Sequence, residues 1–501
     1  MGQYLLGIDI GTSACKIAIF DKAGNVLAST NGDYEVHYPH PGWSQQRPDD
    51  WWTAVCGAIK EALEKGGIRK EEIAGVGIDG QGWAAVMVDK DGNVLAESPL
   101  WTDTRSVDIC NKIKERLPEE EIVRVCGNPL QPMYTTGKVL WFEQEMPEVY
   151  RHTYQVLQSN CFIAYRLTGN LVQDKCQAYA WHCFDMRNGT WDEERARELG
   201  IPTGFLPELV DCHQVMGTVT AQAAAQCGLC EGTPVVAGGL DAACGALGVG
   251  VLENGDTQEQ GGQAGGMSIC TKEYKSDARL ILSFHVVPDC WLLQGGSTGG
   301  GGVMRWLEQQ FGDYEREMKK VTGKSSLTVF NELAEAVPPG CEGMVMLPYM
   351  SGERSPIWNP NAKGVFYGVD FSKTKGHFIR AGMEGVAYSL RHNLEVAAQA
   401  GAEVKVLRSM GGSANSLLWT QIKSDVTGKP IVVPNSDTAT TLGAAILAGV
   451  GIGMYGSFRE AVDTTIAVKR EHQPNPANKE IYDRTYEMYL RLYEELKGMM
   501  V

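Results

Sequence analysis

Gly7-Ile8-Asp9-Ile10-Gly11-Thr12-Ser13-Ala14-Cys15-Lys16 is the stretch from which the fold is read. Tyr4 to Ile10 has the apolar density of a buried strand, Gly11-Thr12-Ser13 is a tight turn, and Lys16 to Phe20 returns as a second strand. Asp21-Lys22-Ala23-Gly24-Asn25 forms another turn before Val26-Leu27-Ala28, so the chain opens as a β-meander. Outward from it, Trp51, Val55, Ile59 and Leu63 recur every four residues as one face of an amphipathic helix. Gly66-Gly67 ends that helix, and Ile73 to Ile78 follows as a short buried strand. The order strand-strand-strand-helix-strand, with further alternation through Tyr154 to Leu167 and Ala221 to Gly228, predicts an α/β layer structure. A chain of 501 residues is too long for one ordinary core, so two domains are expected.

The tip of the first hairpin carries glycine, two hydroxyls and a nearby lysine. Backbone amides in such a turn form an anion-binding nest, and Lys16 adds positive charge. Asp9 stands just before the turn, where a carboxylate facing a phosphate fits a Mg²⁺ between them. The plainer reading is an ordinary hairpin with a Gly-Thr turn. A second acid has a similar setting in Gly238-Gly239-Leu240-Asp241-Ala242-Ala243-Cys244-Gly245. Pro234 to Ala237 reads as a short strand before it, and Ala242 to Val251 as a small-residue helix after it. Asp241 is therefore either a helix N-cap or an acid at a strand end within reach of a bound hydroxyl. A second start follows Leu252: a polar turn at Glu253 to Asp256, then Gly261-Gly262-Gln263-Ala264-Gly265-Gly266, then a return strand from Met267 to Thr271. Its order matches Gly11-Thr12-Ser13-Ala14 before Cys15 to Phe20, a faint repeat suggesting two related halves with facing phosphate turns.

A net charge of -16 without a basic tract argues against nucleic-acid binding by bulk electrostatics. The 14 cysteines are scattered, and Cys227-Gly-Leu-Cys230 has no second pair to complete a metal site, so structural thiols are expected. The chain opens on a strand rather than a basic stretch with an apolar core; no signal peptide is expected, and a reducing cytosol is. Leu442 to Tyr455 is short and rich in small residues, as in a buried helix rather than a membrane span. Tyr482, Tyr486, Tyr489, Tyr493 and Leu496 form a packing stripe on a C-terminal helix.

Two Gly-x-Gly-x-x-Gly matches, Gly75 to Gly80 and Gly451 to Gly456, lack the strand-to-helix setting of a dinucleotide site and are discounted. Gly295-Gly296-Ser297-Thr298-Gly299 matches a nucleophile elbow, with His377, His392 and His472 downstream, so a serine hydrolase using Ser297 is a formal alternative. The run continues through Gly300-Gly301-Gly302, which favours backbone closing on a flat or anionic ligand. Met410-Gly411-Gly412-Ser413 lies between a strand at Val404 to Leu407 and a helix at Leu417 to Val426, another glycine turn at a helix start.

Taken together these motifs resemble the carbohydrate kinases of the FGGY family, in the superfamily that also holds actin, hexokinase and the heat-shock chaperone ATPases. Gly7 to Ser13 resembles the first phosphate motif and Gly238 to Asp241 the catalytic-base motif. Tyr349 to Pro356, with Ser351-Gly352-Glu353-Arg354, resembles a mid-domain segment. Gly364 to Gly368 with Arg380 to Gly385 resembles the second signature, and Gly411-Gly412-Ser413 with Leu442 to Ala445 the adenosine segment. The resemblance implies an α/β fold of two ribonuclease-H-like domains, of the actin/hexokinase ATPase type, flanking a central cleft. They divide into residues 1–248 on the sugar side and 249–501 on the nucleotide side. It implies ATP and Mg²⁺, a small sugar or polyol substrate, no nucleic-acid or membrane partner and a cytoplasmic setting; homodimers are common in such families. Carried over residue by residue, Asp241 is the base, with Gly82, Trp83 and Asp103 beside it around the sugar. Thr12, Ser13 and Lys16 face the transferring phosphates, joined by Gly262 and Gln263. Gly301, Gly412 and Ser413 flank the adenosine, and Asp9 holds Mg²⁺.

Within the family the similarity is greatest to xylulose kinases, through Pro41 to Gln45, Asp49 to Trp52 and Leu100 to Arg105. Three departures leave the sugar open. Gly82-Trp83 replace the usual Met-His after the glutamine, Ala242 replaces a polar residue, and Gln263 replaces the threonine of the second phosphate turn. An ATP-driven clamp of the actin or chaperone type is the remaining alternative.

Overall fold

The computed structural model describes residues 2–435 and 438–500; Met1, Ser436, Asp437 and Val501 lie outside the described residues. The opening meander is β1 (Tyr4–Ile10), β2 (Ala14–Phe20) and β3 (Val26–Asp33). Helix α1 (Pro48–Gly66) follows, with proline in its first turn and Gly67 closing it at φ +59°. Trp51, Val55, Ile59 and Leu63 are buried on the face the sequence assigned to them. They pack against Leu6, Ile8, Ile17 and Ile19 of the meander, each large side chain contributing about 1.5–3 kcal/mol.

Strand β4 (Ile73–Gly80) pairs parallel with β1. After a helical insertion that includes α2 (Thr135–Glu145), the sheet is completed by β5 (Val215–Thr218), β6 (Pro234–Val236) and the short β7 (Gly239–Leu240). The seven strands run β5-β6-β4-β1-β2-β3, with β7 also paired to β4. Helix α3 (Asp241–Gly248) starts directly at the end of β7.

The second sheet contains β8 (Asp256–Gly261), β9 (Gly265–Thr271), β10 (Ile281–Phe284), β11 (Trp291–Ser297), β12 (Val406–Met410), β13 (Ile431–Pro434) and β14 (Val468–His472). Its order is β10-β11-β9-β8-β12-β13-β14. Helices α4 (Gly301–Phe311), α5 (Lys375–Gln399), α6 (Leu417–Thr427), α7 (Ala439–Gly451) and α8 (Lys479–Leu496) belong to this half of the sequence. In each sheet an antiparallel trio (β1-β2-β3; β8-β9-β11) gives way, on the far side of its first strand, to parallel neighbours (β4 and β6; β12 and β13). The faint repeat in the sequence is thus a repeat of topology. Gly11-Thr12-Ser13 and Gly262-Gln263-Ala264 occupy the same place, the tip between the first two strands of each sheet.

The halves meet through their smallest residues. α7 belongs to the second half in sequence yet lies on the first sheet, packed against β1, β4 and α3. A Cβ on Gly77 of β4 would stand 1.8 Å from the Ala444 carbonyl oxygen, and one on Gly443 would stand 1.9 Å from that of Cys244. Only glycine permits backbone this close. The tyrosine stripe of α8 is packing, as expected: Tyr482, Tyr486, Tyr489 and Tyr493 are buried against α5 and the segment before it.

Candidate active site

Three parallel strands of the first sheet end together, and each delivers an aspartate. Asp9 of β1 stands opposite Asp79 of β4, Asp79 opposite Gly239 of β7, and Asp241 follows two residues later. Ligands of open α/β sheets bind at such carboxyl ends. Asp9 is buried, and its Oδ2 accepts from Lys16 Nζ at 3.1 Å and Thr440 Oγ1 at 3.0 Å. Asp241 is half-buried and is the first residue of α3. Among the described residues its carboxyl makes only a local hydrogen bond, Oδ1 accepting from the Ala242 amide at 2.6 Å, so it does not cap the helix from the N-cap position. Burial, then the charge of Asp9, pushes its carboxyl up from 3.8 to about 7.

Asp79 is the acid the sequence reading passed over. It is fully buried and neither carboxyl oxygen has a hydrogen-bond partner. Burial, followed by the charges of Asp9 and Asp241, raises its pKa well above the carboxylate range. It sat inside the discounted Gly75 to Gly80 match, which proves to be plain β4. The signal was present: Gly-Ile-Asp occurs at 7–9 and again at 77–79, in register across the β1–β4 ladder.

The first glycine turn faces this cluster. Thr12 Oγ1 accepts from Trp101 Nε1 at 3.0 Å, and Ser13 is exposed. In the second turn Gln263 is exposed, while the carbonyls of Gly262 and Gln263 accept from the Gly301 and Gly302 amides at 2.7 and 2.9 Å. Gly301 therefore braces the turn at the start of α4. Gly412 opens onto free space. Ser413 points inward, its hydroxyl accepting from Lys423 Nζ at 2.7 Å beside a buried Lys423–Glu259 ion pair.

Between the halves lies a cavity of about 210 Å³. Gln81, Gly82, Trp83, Trp101, Tyr179 and Asp241 line it from one side, and Gln260, Gln294 and Arg354 from the other. Trp83 is held at φ +63°, unusual for a bulky residue. Lys138 Nζ, buried in α2, donates to its carbonyl at 2.6 Å and to that of Leu100 at 2.7 Å. The Trp83 ring lies 4.4 Å from that of Tyr134. Gln81 Oε1, Gln177 Oε1 and Trp83 Nε1 have no protein partner. A Cβ on Gly82 would come within 3.7 Å of Gln177 Oε1 and Tyr179 Oη. Unspent groups of Gln81 and Trp83 thus stand on one face of the cavity, with that of Gln177 behind Gly82, which suits a ligand with several hydroxyls.

Gly82 and Trp83 line this cavity, but Asp103 does not. Asp103 is buried away from it, chelated by Arg105 (Nη2 to Oδ2 at 2.8 Å) and by the Ser44 amide at 2.7 Å. An acid next but one to an arginine is satisfied locally before any ligand arrives. The Ser297 alternative fails on geometry. Ser297 Oγ donates to Glu353 at 2.6 Å, while His377 and His472 bond to other groups and His392 packs near Tyr489. No histidine is placed as its base. Among the described residues no group of three or more His, Cys, Asp or Glu forms a ready metal cage, Cys227 and Cys230 included. The oxygens around Asp9 are its own carboxylate and the Thr440 hydroxyl, with orphaned oxygens on Asp79 behind them and the Lys16 ammonium on Oδ2. That set fits Mg²⁺, which completes its shell with phosphate and water.

Residues 4–248 match the N-terminal domain, and 266–452 the C-terminal domain, of the FGGY family of carbohydrate kinases. A xylulose kinase of Staphylococcus epidermidis is 31% identical over 501 residues, covering 99% of this chain and 98% of the relative. A gluconokinase of Bacillus licheniformis is 28% identical over 99% of this chain and 97% of the relative. The crystal structure of xylulose kinase from Rhodospirillum rubrum superposes with a TM-score of 0.89 at 29% identity, covering 99% of each chain. With its two-domain, actin/hexokinase-like fold, the chain belongs to the FGGY family of carbohydrate kinases, phosphotransferases with an alcohol as acceptor.

Proposed function

We propose that the protein transfers the γ-phosphoryl group of ATP to a terminal hydroxyl of a small sugar, D-xylulose giving D-xylulose 5-phosphate being the first candidate. The observation that carries this reading is Asp241: a carboxyl pushed up to about 7, on the wall of a cavity lined by glutamine amides, aromatic rings and glycines next to the second glycine turn. Xylulose leads through the similarity to xylulose kinases. Another ketopentose, a polyol or a sugar acid is the second reading. Gly82-Trp83 stand where xylulose kinases typically carry Met-His and Ala242 where they often carry a polar Asn or Gln, and a gluconokinase is among the relatives.

In this mechanism the sugar lies against Gly82, Trp83 and Tyr179, with hydroxyls on Gln81 and Gln177. Asp241 takes the proton of the terminal hydroxyl as that oxygen bonds to the γ-phosphorus, and the bond from phosphorus to the β-bridging oxygen breaks. Thr12, Ser13 and Lys16 hold the phosphates from one side and the Gly262-Gln263 turn from the other, with Gly412 and Ser413 beside the adenosine. Asp9, supported by Asp79, holds Mg²⁺, which when bound neutralises phosphate charge. The division at 248/249 falls where α3 ends. All 14 cysteines are free thiols, which supports a reducing, cytoplasmic setting; no described helix is long and apolar enough to cross a membrane.

The test is coupled ADP release across ketoses, polyols and aldonates, for the natural chain and for Asp241→Ala. At least one compound is expected to give sustained turnover that Asp241→Ala abolishes while still binding ATP. Near-normal turnover by the variant removes Asp241 from the role; no turnover with any compound overturns the reading.

A further inference from the structure

We infer that Arg354 is a further catalytic residue, whose guanidinium grips the phosphoryl group as it passes from ATP to the sugar. The inference rests on the kinase reading above. Arg354 lines the same cavity as Asp241, from the opposite side. Its side chain lies flat on bare backbone: a Cβ on Gly296 would be 3.0 Å from its Cζ. Gly296 pairs with Gly266 in the β9–β11 ladder, next to the second glycine turn. Across the cleft, the guanidinium carbon is 5.6 Å from the Trp101 ring centroid, a cation–π distance. The Trp101 indole N–H in turn donates to Thr12 Oγ1 of the first turn. The charge therefore sits between the two phosphate turns and across from the base.

Its hydrogen-bonding capacity is almost unused. A guanidinium carries five N–H donors, and among the described residues its only hydrogen bond is a long one, Nη2 to the Ser297 carbonyl at 3.4 Å. The adjacent carboxylate is committed elsewhere. Glu353 accepts from Ser297 Oγ at 2.6 Å, from the Thr298 amide at 2.8 Å and from the Arg354 backbone amide at 2.7 Å, but not from the guanidinium. Among the described residues no carboxylate forms an ion pair with Arg354. Burial opposes its charge, and the nearby charge of Glu353 offsets this only in part. A desolvated guanidinium with free donors in a cleft is built to receive an anion with several oxygens. A substrate carboxylate shares that chemistry. The position between both glycine turns, in the second half, favours the transferring phosphoryl, whose equatorial oxygens carry charge in flight.

Arg354→Met and Arg354→Lys test this in the full chain, with the sugar identified by the screen. Folding is checked by thermal melting. Arg354→Met is expected to lower kcat about 10²–10³-fold, with the Kd values for sugar and for AMP-PNP within about threefold of the parent. Binding of the ADP–aluminium fluoride–sugar complex is expected to weaken in step with kcat. Added guanidinium ion restores part of the Arg354→Met activity, and Arg354→Lys falls between. A kcat within about threefold of the parent overturns the inference. So does a loss confined to the KM of aldonates, which would assign the guanidinium to a substrate carboxylate. These results require an active parent; a parent inactive on every compound overturns the kinase reading, and this inference with it.

Discussion

Asp241 is where chemistry and stability pull in opposite directions. A general base at neutral pH needs a pKa near the working pH, and burial beside Asp9 supplies it, moving the carboxyl from 3.8 to about 7. Below that value the base is protonated. The sugar kcat/KM, which reports the free enzyme, is expected to rise about tenfold per pH unit up to about pH 7 and then level. A profile flat down to pH 5 would remove the carboxyl from that role. The same shift weakens the fold. Between pH 4 and 7 the folded chain holds a proton the unfolded chain has released, so the stability present below the unfolded pKa is lost as pH rises to the folded one. Asp241→Asn should therefore gain on the parent through that window and hold a gain on the order of 2 kcal/mol at pH 8, read as a higher urea midpoint there and equal midpoints near pH 4. Asp9 and Asp241 stand out in the sequence because glycine crowding around a lone acid marks close approach, whereas Gly82 and Trp83 are reached only through the family resemblance. Asp79 and Arg354 were hidden for different reasons. The repeated Gly-Ile-Asp that marks Asp79 gains its meaning only once β1 and β4 are known to pair in that register, and a guanidinium without a partner is visible only once its surroundings are.

At the scale of elements, α2 shows how a helix far from the chemistry shapes the pocket. Lys138 is fully buried, and burial lowers its pKa to about 7. It makes two hydrogen bonds, to the carbonyls of Trp83 and Leu100. A neutral amine has two N–H donors, so both are used. These bonds pin the chain at Trp83, whose left-handed backbone needs an external hold, and just before Trp101, so one side chain fixes both indoles of the cavity. Lys138→Met keeps the length and loses both donors, leaving the Trp83 carbonyl unpaired at about 1–3 kcal/mol, while that of Leu100 keeps the Asp103 amide. The expected result is a sugar KM raised about tenfold with the ATP KM unchanged; equal effects on both substrates would show that the helix merely supports the fold. Helix α1 and strands β1, β2 and β4 were legible because their apolar periods are regular. The insertion carrying Lys138 and Tyr179 was not: every residue of α2 from Thr135 to Phe142 is buried, so the helix has no polar face to give it a period.

At the scale of the whole molecule, the repeated topology explains why the cavity has two kinds of wall. The first half presents Trp83, Tyr179 and Asp241, and the second presents Arg354, Gln260 and the second glycine turn. The sequence showed the repeat only in its turns, since strands that share a fold need share little beyond apolar character, whereas a phosphate turn needs glycine. The insertion that builds the sugar wall has no counterpart in the repeat and was unreadable from it. Such a cleft must close to exclude water, which otherwise competes with the sugar as acceptor. On the kinase reading closure is driven by the sugar, because its carbons cover Trp83 and its hydroxyls satisfy Gln81 and Gln177, while the terminal hydroxyl contributes chemistry more than binding. A substrate analogue lacking only that hydroxyl should therefore close the cleft and leave a space beside Asp241 that one water fills. ADP release in its presence is expected to rise several-fold above the rate without sugar, and to fall back in Asp241→Ala. If the analogue binds, as a calorimetric titration would show, yet ATP hydrolysis does not change, then closure does not depend on the sugar and the two walls already stand at their working separation.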